Sequence, residues 1–445
     1  MDYQSFKKAV IAKCEALGIA EYELYYQAGT STSIDTFRHA INEFSASEEG
    51  GVCFRCIVGG RMGYASTEAL NEEQAASIVD RAADNAATLE ADEPVFLAEG
   101  GKTYAPITVK SYALPDTESL IAKVLQTQEK LYASNSAVID GSETQGICER
   151  SETFIYNSKG LDLHSENTLS GLVVASVVTD GKEMANDYEI RLGEFSAIDT
   201  DALTAKVTAS AMQKLGGEVA PTGQYPVVFA PEAMCSLLGV FSAIFSSENA
   251  QKGLSKLNGR EGEVIAAPMV TLVDDPFFPG STRQHSFDAE GSPTFTKNVI
   301  EGGTFRTLLY NLKTAAVAGK ETTGNASKAG YDAPVAVRPF TMYLVPGEKT
   351  EEELLAPIEK GVYINSLGGL HAGANPITGD FSLQSSGFMV EGGKKTTFVK
   401  SFTVAGNFYD LLKNITDIAS NLETPGMGNF GSPAVRVDGL SVAGK

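Results

Sequence analysis

Hydrophobic and polar positions along this chain follow two alternating periods, and each switch between them marks a predicted element. Phe6, Val10, Cys14 and Leu17 recur at helical spacing. Alternating, strand-like runs follow around 23–27, 33–37 and 43–47. Glu49-Gly50-Gly51 reads as a turn into a strand over 52–58, and a second Gly-Gly turn leads to a strand over 61–65. Asn71, with Gln74 three residues later, reads as a capping-box helix start. That helix should end before Pro94.

The order then repeats. A helix is predicted from about 116 to 133, with Leu120, Val124 and Leu131 on one face. Strands follow around 136–148, 153–156, 168–178 and 184–191, and a helix from about 200 to 215 closes the block. The runs 51–58 and 171–178 hold matching places, as a duplicated helix–sheet–helix unit would require. After Pro221-Thr-Gly-Gln-Tyr-Pro226 the chain turns β-rich. Two Glu-Gly-Gly steps, at 301–303 and 391–393, read as hairpins. One helix should start after Pro231, a favoured first-turn position. Another should start near Asn407, with Phe408, Leu411, Leu412, Ile415, Ile418 and Leu422 as one stripe. The expected architecture is α+β: an N-terminal helix and mixed-sheet domain over 1–90, a linker over 91–115, a central α+β domain over 116–220 and a β-rich C-terminal domain over 221–445.

Composition narrows the function classes. With 35 basic and 56 acidic residues the net charge is −21, a field that repels phosphate backbones, so no nucleic-acid partner is expected. No apolar run approaches a membrane span, and the start lacks a signal-peptide layout, so a cytoplasmic protein without membrane partners is expected. The five cysteines fit free thiols. Cys53-Phe-Arg-Cys56 has metal-site spacing, but residues three apart on a strand face opposite ways and no second pair completes a tetrahedral site.

The most distinctive stretch is Gly368-Gly-Leu-His-Ala-Gly-Ala-Asn-Pro-Ile-Thr-Gly-Asp380. Its glycines and Asn-Pro step demand sharp turns, and it could present His371, Asn375 and Asp380 in a groove that holds peptide or faces a partner. Together with Phe287-Asp-Ala-Glu-Gly-Ser-Pro-Thr294 and Ser432-Pro-Ala-Val-Arg-Val-Asp438, this segment resembles the signature of the PmbA/TldD family of peptide-maturation metalloproteases, formerly called modulators of DNA gyrase, and more closely its PmbA (TldE) branch.

In the TldD branch a helix carries H-E-x-x-x-H and a later cysteine completes the zinc site. The resemblance puts the equivalent helix at 232–247, with the histidine positions at Leu238 and Ala243 and the glutamate at Gly239. All three differ, and the segment around 427–431 holds no cysteine. No catalytic or metal residue is therefore expected in this chain, and no cofactor; zinc is expected only in a TldD-like partner. The resemblance implies a zinc-free subunit of a TldD/TldE-type peptidase complex acting on unfolded or modified small peptides. Two rivals stand beside it: a homodimeric, non-catalytic peptide-binding protein, and a hydrolase with another catalytic set. His285, Asp288 and Glu290, close in sequence and preceded by Asp274-Asp275, are the weaker candidates for that set or for a hard cation. His39 and His164 read as ordinary strand residues. Ala318-Gly-Lys-Glu-Thr fails as a phosphate loop because Thr314 stands where the first glycine is needed, and no G-x-S-x-G elbow occurs.

Overall fold

The computed structural model describes residues 1–89, 94–108, 111–426 and 428–445. Positions 91–93 and 109–110 of the expected linker lie outside the described residues. Its stretch 94–108 has no regular secondary structure and packs across the molecule: the Tyr104 hydroxyl donates to the Gly291 carbonyl at 2.9 Å, and the Thr108 N–H to Gln284 Oε1 at 2.7 Å.

The first half builds one six-stranded antiparallel sheet. Its strands are β1 (Glu21–Phe37), β2 (Ala40–Val58), β3 (Arg61–Thr67), β4 (Glu143–Asn157), β5 (Asp162–Thr179) and β6 (Met184–Leu192), in the order β3-β2-β1-β4-β5-β6. The helices are α1 (Tyr3–Leu17), α2 (Glu72–Thr88), α3 (Thr117–Ser134) and α4 (Thr200–Gln213). Asp2, Asn71, Asp116 and Asp199 cap them, each side chain accepting first-turn N–H groups. The two blocks therefore meet along β1–β4 with matching strand order on either side, and 51–58 and 171–178 fall in corresponding strands.

Strand alternation sorts the side chains onto two faces. Leu24, Phe54 and Cys56 lie under α1 and α2; Ile34, Cys148, Leu172 and Val174 lie under α3 and α4. The opposite face carries Tyr25, Cys53 and Ile155, which meet Phe287, Ala289 and Tyr331 of the C-terminal region. Cys53 and Cys56 thus point apart, and all five cysteines are free and buried.

Three expectations are corrected, the third at helix α5 below. Glu49-Gly50-Gly51 is no turn: β2 runs straight through it, paired with β1. The glycine serves close approach instead, since a Cβ on Gly51 would stand 2.5 Å from the Tyr331 ring. The helix after Asn407 covers only Phe408–Lys413. The β-branched residues after it form the strand Ile415–Ile418, which pairs with Val435–Ala443, so a cross-strand partner overrides the helical period.

The C-terminal half holds a seven-stranded sheet ordered Ile415–Ile418, Val435–Ala443, Gly223–Phe229, Lys360–Gly368, Asp380–Glu391, Lys394–Asn407 and Glu218–Val219. Both Glu-Gly-Gly steps form hairpins, with positive φ at Gly302, Gly303, Gly392 and Gly393. Helix α5 (Pro231–Phe241) starts on its proline and buries Met234, Leu237, Leu238 and Phe241, with Phe241 stacked on Phe408 at 4.5 Å. It is shorter than the expected 232–247: a 3-10 turn follows over Ser242–Phe245, and Ser246 caps a new helix, Ser247–Gln251. Among the described residues no helix is long and apolar enough to cross a membrane.

Between the sheet and the C-terminal half lies a buried charge network. Arg55 donates through Nε to Glu23 Oε1 at 2.8 Å, and its Nη1 stands 3.8 Å from Glu290 Oε1. The three side chains are 6%, 2% and 6% exposed. Burial opposes the charge on Arg55, but the two carboxylates outweigh it and hold the guanidinium protonated. Removing the cation strands two buried carboxylates. Arg55→Met is therefore expected to lower stability by about 3–5 kcal/mol, read as a shift in the urea midpoint; a loss below about 1 kcal/mol would contradict this account.

Candidate functional site

A cleft of about 630 Å³ opens between the two halves of the chain. Its walls are β6, α5 and the loop 423–430, with Met427 outside the described residues. β6 ends the six-stranded sheet, so Tyr188–Leu192 has no strand partner on its outer edge; the Tyr188 N–H there donates to Asp187 Oδ1 at 3.0 Å and the Ile190 carbonyl accepts from Arg191 Nη1 at 3.2 Å. From α5 come Glu232, Cys235 and Ser236, three and four residues apart and hence on one helix face.

The chemistry of these side chains is quiet. Burial, then the Glu232 charge, pushes the Cys235 thiol up to about 12, so it stays protonated and a poor nucleophile. The Ser236 hydroxyl donates to its own helix, to the Glu232 carbonyl at 3.0 Å. Burial and the neighbouring Asp187 raise the Glu232 carboxyl. Glu189 pairs with Arg191 and with Lys206. Among the described residues no histidine lines the cleft.

The positions counted for the zinc helix scatter. Leu238 is fully buried in the core, Gly239 lies exposed with Phe430 3.7 Å from where its Cβ would stand, and Ala243 sits half-buried in the 3-10 turn. The glycine-rich segment lies elsewhere, at the end of the seven-stranded sheet, and lines no part of the cleft. His371 is exposed on a one-turn helix, Leu370–Gly373. Asn375 Oδ1 accepts from the N–H groups of Ile377 and Thr378, and Asp380 accepts from Asn407 Nδ2 at 2.8 Å, a bond that lowers its pKa. Both side chains hold the turn. Gly379 has φ +86°, and a Cβ there would meet Tyr409 at 2.5 Å; at Gly373 a Cβ would meet the Ser382 carbonyl oxygen at 2.4 Å.

His285, Asp288 and Glu290 form no open site. Asp288 Oδ1 accepts from the N–H groups of Glu290 and Ser292, and Oδ2 from that of Ala326. Glu290 faces Arg55 and accepts from the Leu312 N–H. Asp274 binds Lys297 at 3.1 Å. The His285 ring packs on Phe340 at 4.8 Å, and burial with nearby Arg283 depresses its pKa to about 4. His39 occupies the β1–β2 turn against Tyr132, and His164 lies on β5. Sequence reasoning missed the cleft itself; the run Thr424-Pro-Gly-Met-Gly-Asn429 and the unpaired end strand were its signals.

Three family models match consecutive parts of the chain: PmbA/TldA metallopeptidase domain 1 over residues 22–86, the central domain over 111–215 and the C-terminal domain over 222–444. A metalloprotease of Methanothermobacter thermautotrophicus is 27% identical over 94% of each chain. A crystal structure from Thermotoga maritima, of a candidate modulator of a DNA gyrase, superposes with a TM-score of 0.90 at 28% identity, covering 99% of this chain and 100% of that one. TldE from Thermococcus kodakarensis shares the fold, with a TM-score of 0.86 at 22% identity over 99% and 100% of the two chains.

Two outcomes are expected. His371→Ala should leave the melting temperature unchanged, whereas Gly373→Val should lower stability by about 1–3 kcal/mol through the clash with Ser382; equal melts for the two variants would remove the close-approach argument. The second concerns pH. The His285 pKa falls from 6.5 to about 4 on folding. The unfolded chain therefore binds the proton first as pH drops, and this contribution is complete above about 6.5 and lost towards about 4. His285→Phe, which keeps the ring on Phe340, should flatten that part of a stability–pH profile; an unaltered slope would exclude this histidine as its source.

Proposed function

Because the chain belongs to the PmbA/TldD metallopeptidase family, whose domain models cover most of its length, we propose that it is the zinc-free, TldE-like subunit of a cytoplasmic two-subunit peptidase. A TldD-like partner supplies the zinc, and the substrates are unfolded or modified small peptides. The observation that carries this reading is α5. Where a catalytic zinc helix must present two imidazoles and a general base to its cleft, α5 presents Glu232, Cys235 and Ser236, and a buried leucine and a glycine occupy two of the counted positions.

The free edge of β6 supports the peptide half of the reading. An extended segment laid along Tyr188–Leu192 gains main-chain hydrogen bonds whatever its sequence, and the side chains of the cleft walls then select among segments. The thiol and the hydroxyl on the cleft wall are not activated, which argues for holding peptide rather than cutting it.

The test separates the two subunits. The purified chain should turn over no peptide alone, and a mixture with a TldD-like protein from the same cell should do so. Stripping metal from this chain with a chelator, removed before mixing, should leave the activity of the mixture unchanged; the same treatment of the partner should abolish it. Turnover by this chain alone would favour a hydrolase, and loss of mixture activity after stripping this chain would place a required metal here.

A further inference from the structure

On the helix-covered face of the N-terminal sheet, between the two helix pairs, three side chains converge. Glu152 of β4 and Glu166 of β5 are direct cross-strand partners, and His164 lies two residues from Glu166 on the same face. His164 Nε2 stands 2.8 Å from Glu152 Oε1, and one ligand atom from each of the three residues lies within 4.8 Å of the other two. The imidazole is held in place by stacking on Phe154 at 4.2 Å and 17°, and Phe154 packs in turn on Tyr3 of α1 at 4.8 Å. Two like charges directly opposite on neighbouring strands repel. Arg150, 2.9 Å from Glu166 and half-exposed, offsets that repulsion in a pair of the weak exposed kind, and His164 bonds Glu152.

We infer that Glu152, His164 and Glu166 form a binding site for a divalent transition-metal ion such as Zn²⁺, which staples β4 to β5. One nitrogen and two carboxylate oxygens on preorganised strands suit zinc, with water completing the shell. The imidazole selects against Mg²⁺ and Ca²⁺, which take oxygen ligands. The ion takes the place of the hydrogen shared by Nε2 and Glu152, and Glu166 leaves Arg150 to reach it. The five buried cysteines offer no competing exposed thiolate. This site is separate from α5 and carries no catalytic role: the proposed subunit is free of zinc at its cleft helix, and a structural ion on the N-terminal sheet stands or falls independently of that.

Isothermal titration of the full, metal-stripped chain with Zn²⁺ tests it, alongside thermal melts with Zn²⁺ and with Mg²⁺. One ion per chain is expected, with a rise in melting temperature under Zn²⁺ and none under Mg²⁺. His164→Ala and Glu166→Gln should each weaken binding by about tenfold or more, since losing even an outer-sphere partner of a metal site costs that much. Arg150→Met should tighten it by freeing Glu166, a result that a merely structural histidine would not give. No binding at millimolar Zn²⁺, or stoichiometric binding unchanged in His164→Ala, would overturn the assignment.

Discussion

The whole arrangement depends on Arg55 being buried between two carboxylates from different parts of the chain. Glu23 reaches it from β1 and Glu290 from the C-terminal half, so the ion pairs fix both the register of the central strands and the seat of the second half on the sheet. Taking these charges out of water costs several kcal/mol for each ion. The surrounding bonds offset that cost: Asn157 donates to Glu23 and to the Ala98 carbonyl, and the Leu312 N–H donates to Glu290. A hydrophobic seam could supply similar stability, but it would tolerate sliding. Charges and directional bonds admit one docking position, and the cleft between the halves inherits its shape from that position.

The cleft shows why position matters more than composition. One wall is the last strand of the first sheet, and the other is a helix whose opposite face is a core of Met234, Leu237, Leu238 and Phe241. A strand edge accepts an extended chain only if the facing wall stands at a fixed distance. The apolar stripe of α5 sets that distance by anchoring the helix to the seven-stranded sheet, where Phe241 meets Phe381 edge-on at 6.3 Å, and to the helix Phe408–Lys413 through the Phe241–Phe408 stack. Core packing and the shape of the site are thus two faces of one helix.

Much of this was legible in the sequence, and the failures have physical causes. Helix starts were readable from capping residues, because an Asp or Asn ahead of an apolar repeat satisfies free N–H groups locally. The Glu-Gly-Gly hairpins were readable because they need positive φ. Gly50-Gly51 misled because its reason lies more than two hundred residues away, in the Tyr331 ring that needs the space of a missing Cβ. Ile415–Ile418 misled because its period suits a helix until Val435–Ala443 offers a ladder. The glycine-rich segment carries the family likeness, yet its polar side chains serve the turn, while the cleft lies on strands and a loop with no motif.

The same distinction explains how a chain can keep a metallopeptidase fold with a helix unfit for zinc. Coordination needs two imidazoles projecting into the opening at fixed spacing, and such groups contribute nothing to a hydrocarbon core. Leu238 does the reverse: fully buried among Leu237, Phe241 and the strands, it strengthens the anchoring of α5 and itself offers the cleft no ligand. On the proposed reading, in which a partner supplies the metal, this helix is free to favour packing, provided that the cleft keeps its width. Glu232 and Cys235 then remain as wall residues, one carboxyl raised by burial and one thiol kept protonated. On that reading the wall keeps its shape while its thiol stays protonated, as a subunit that holds peptide for another's chemistry requires.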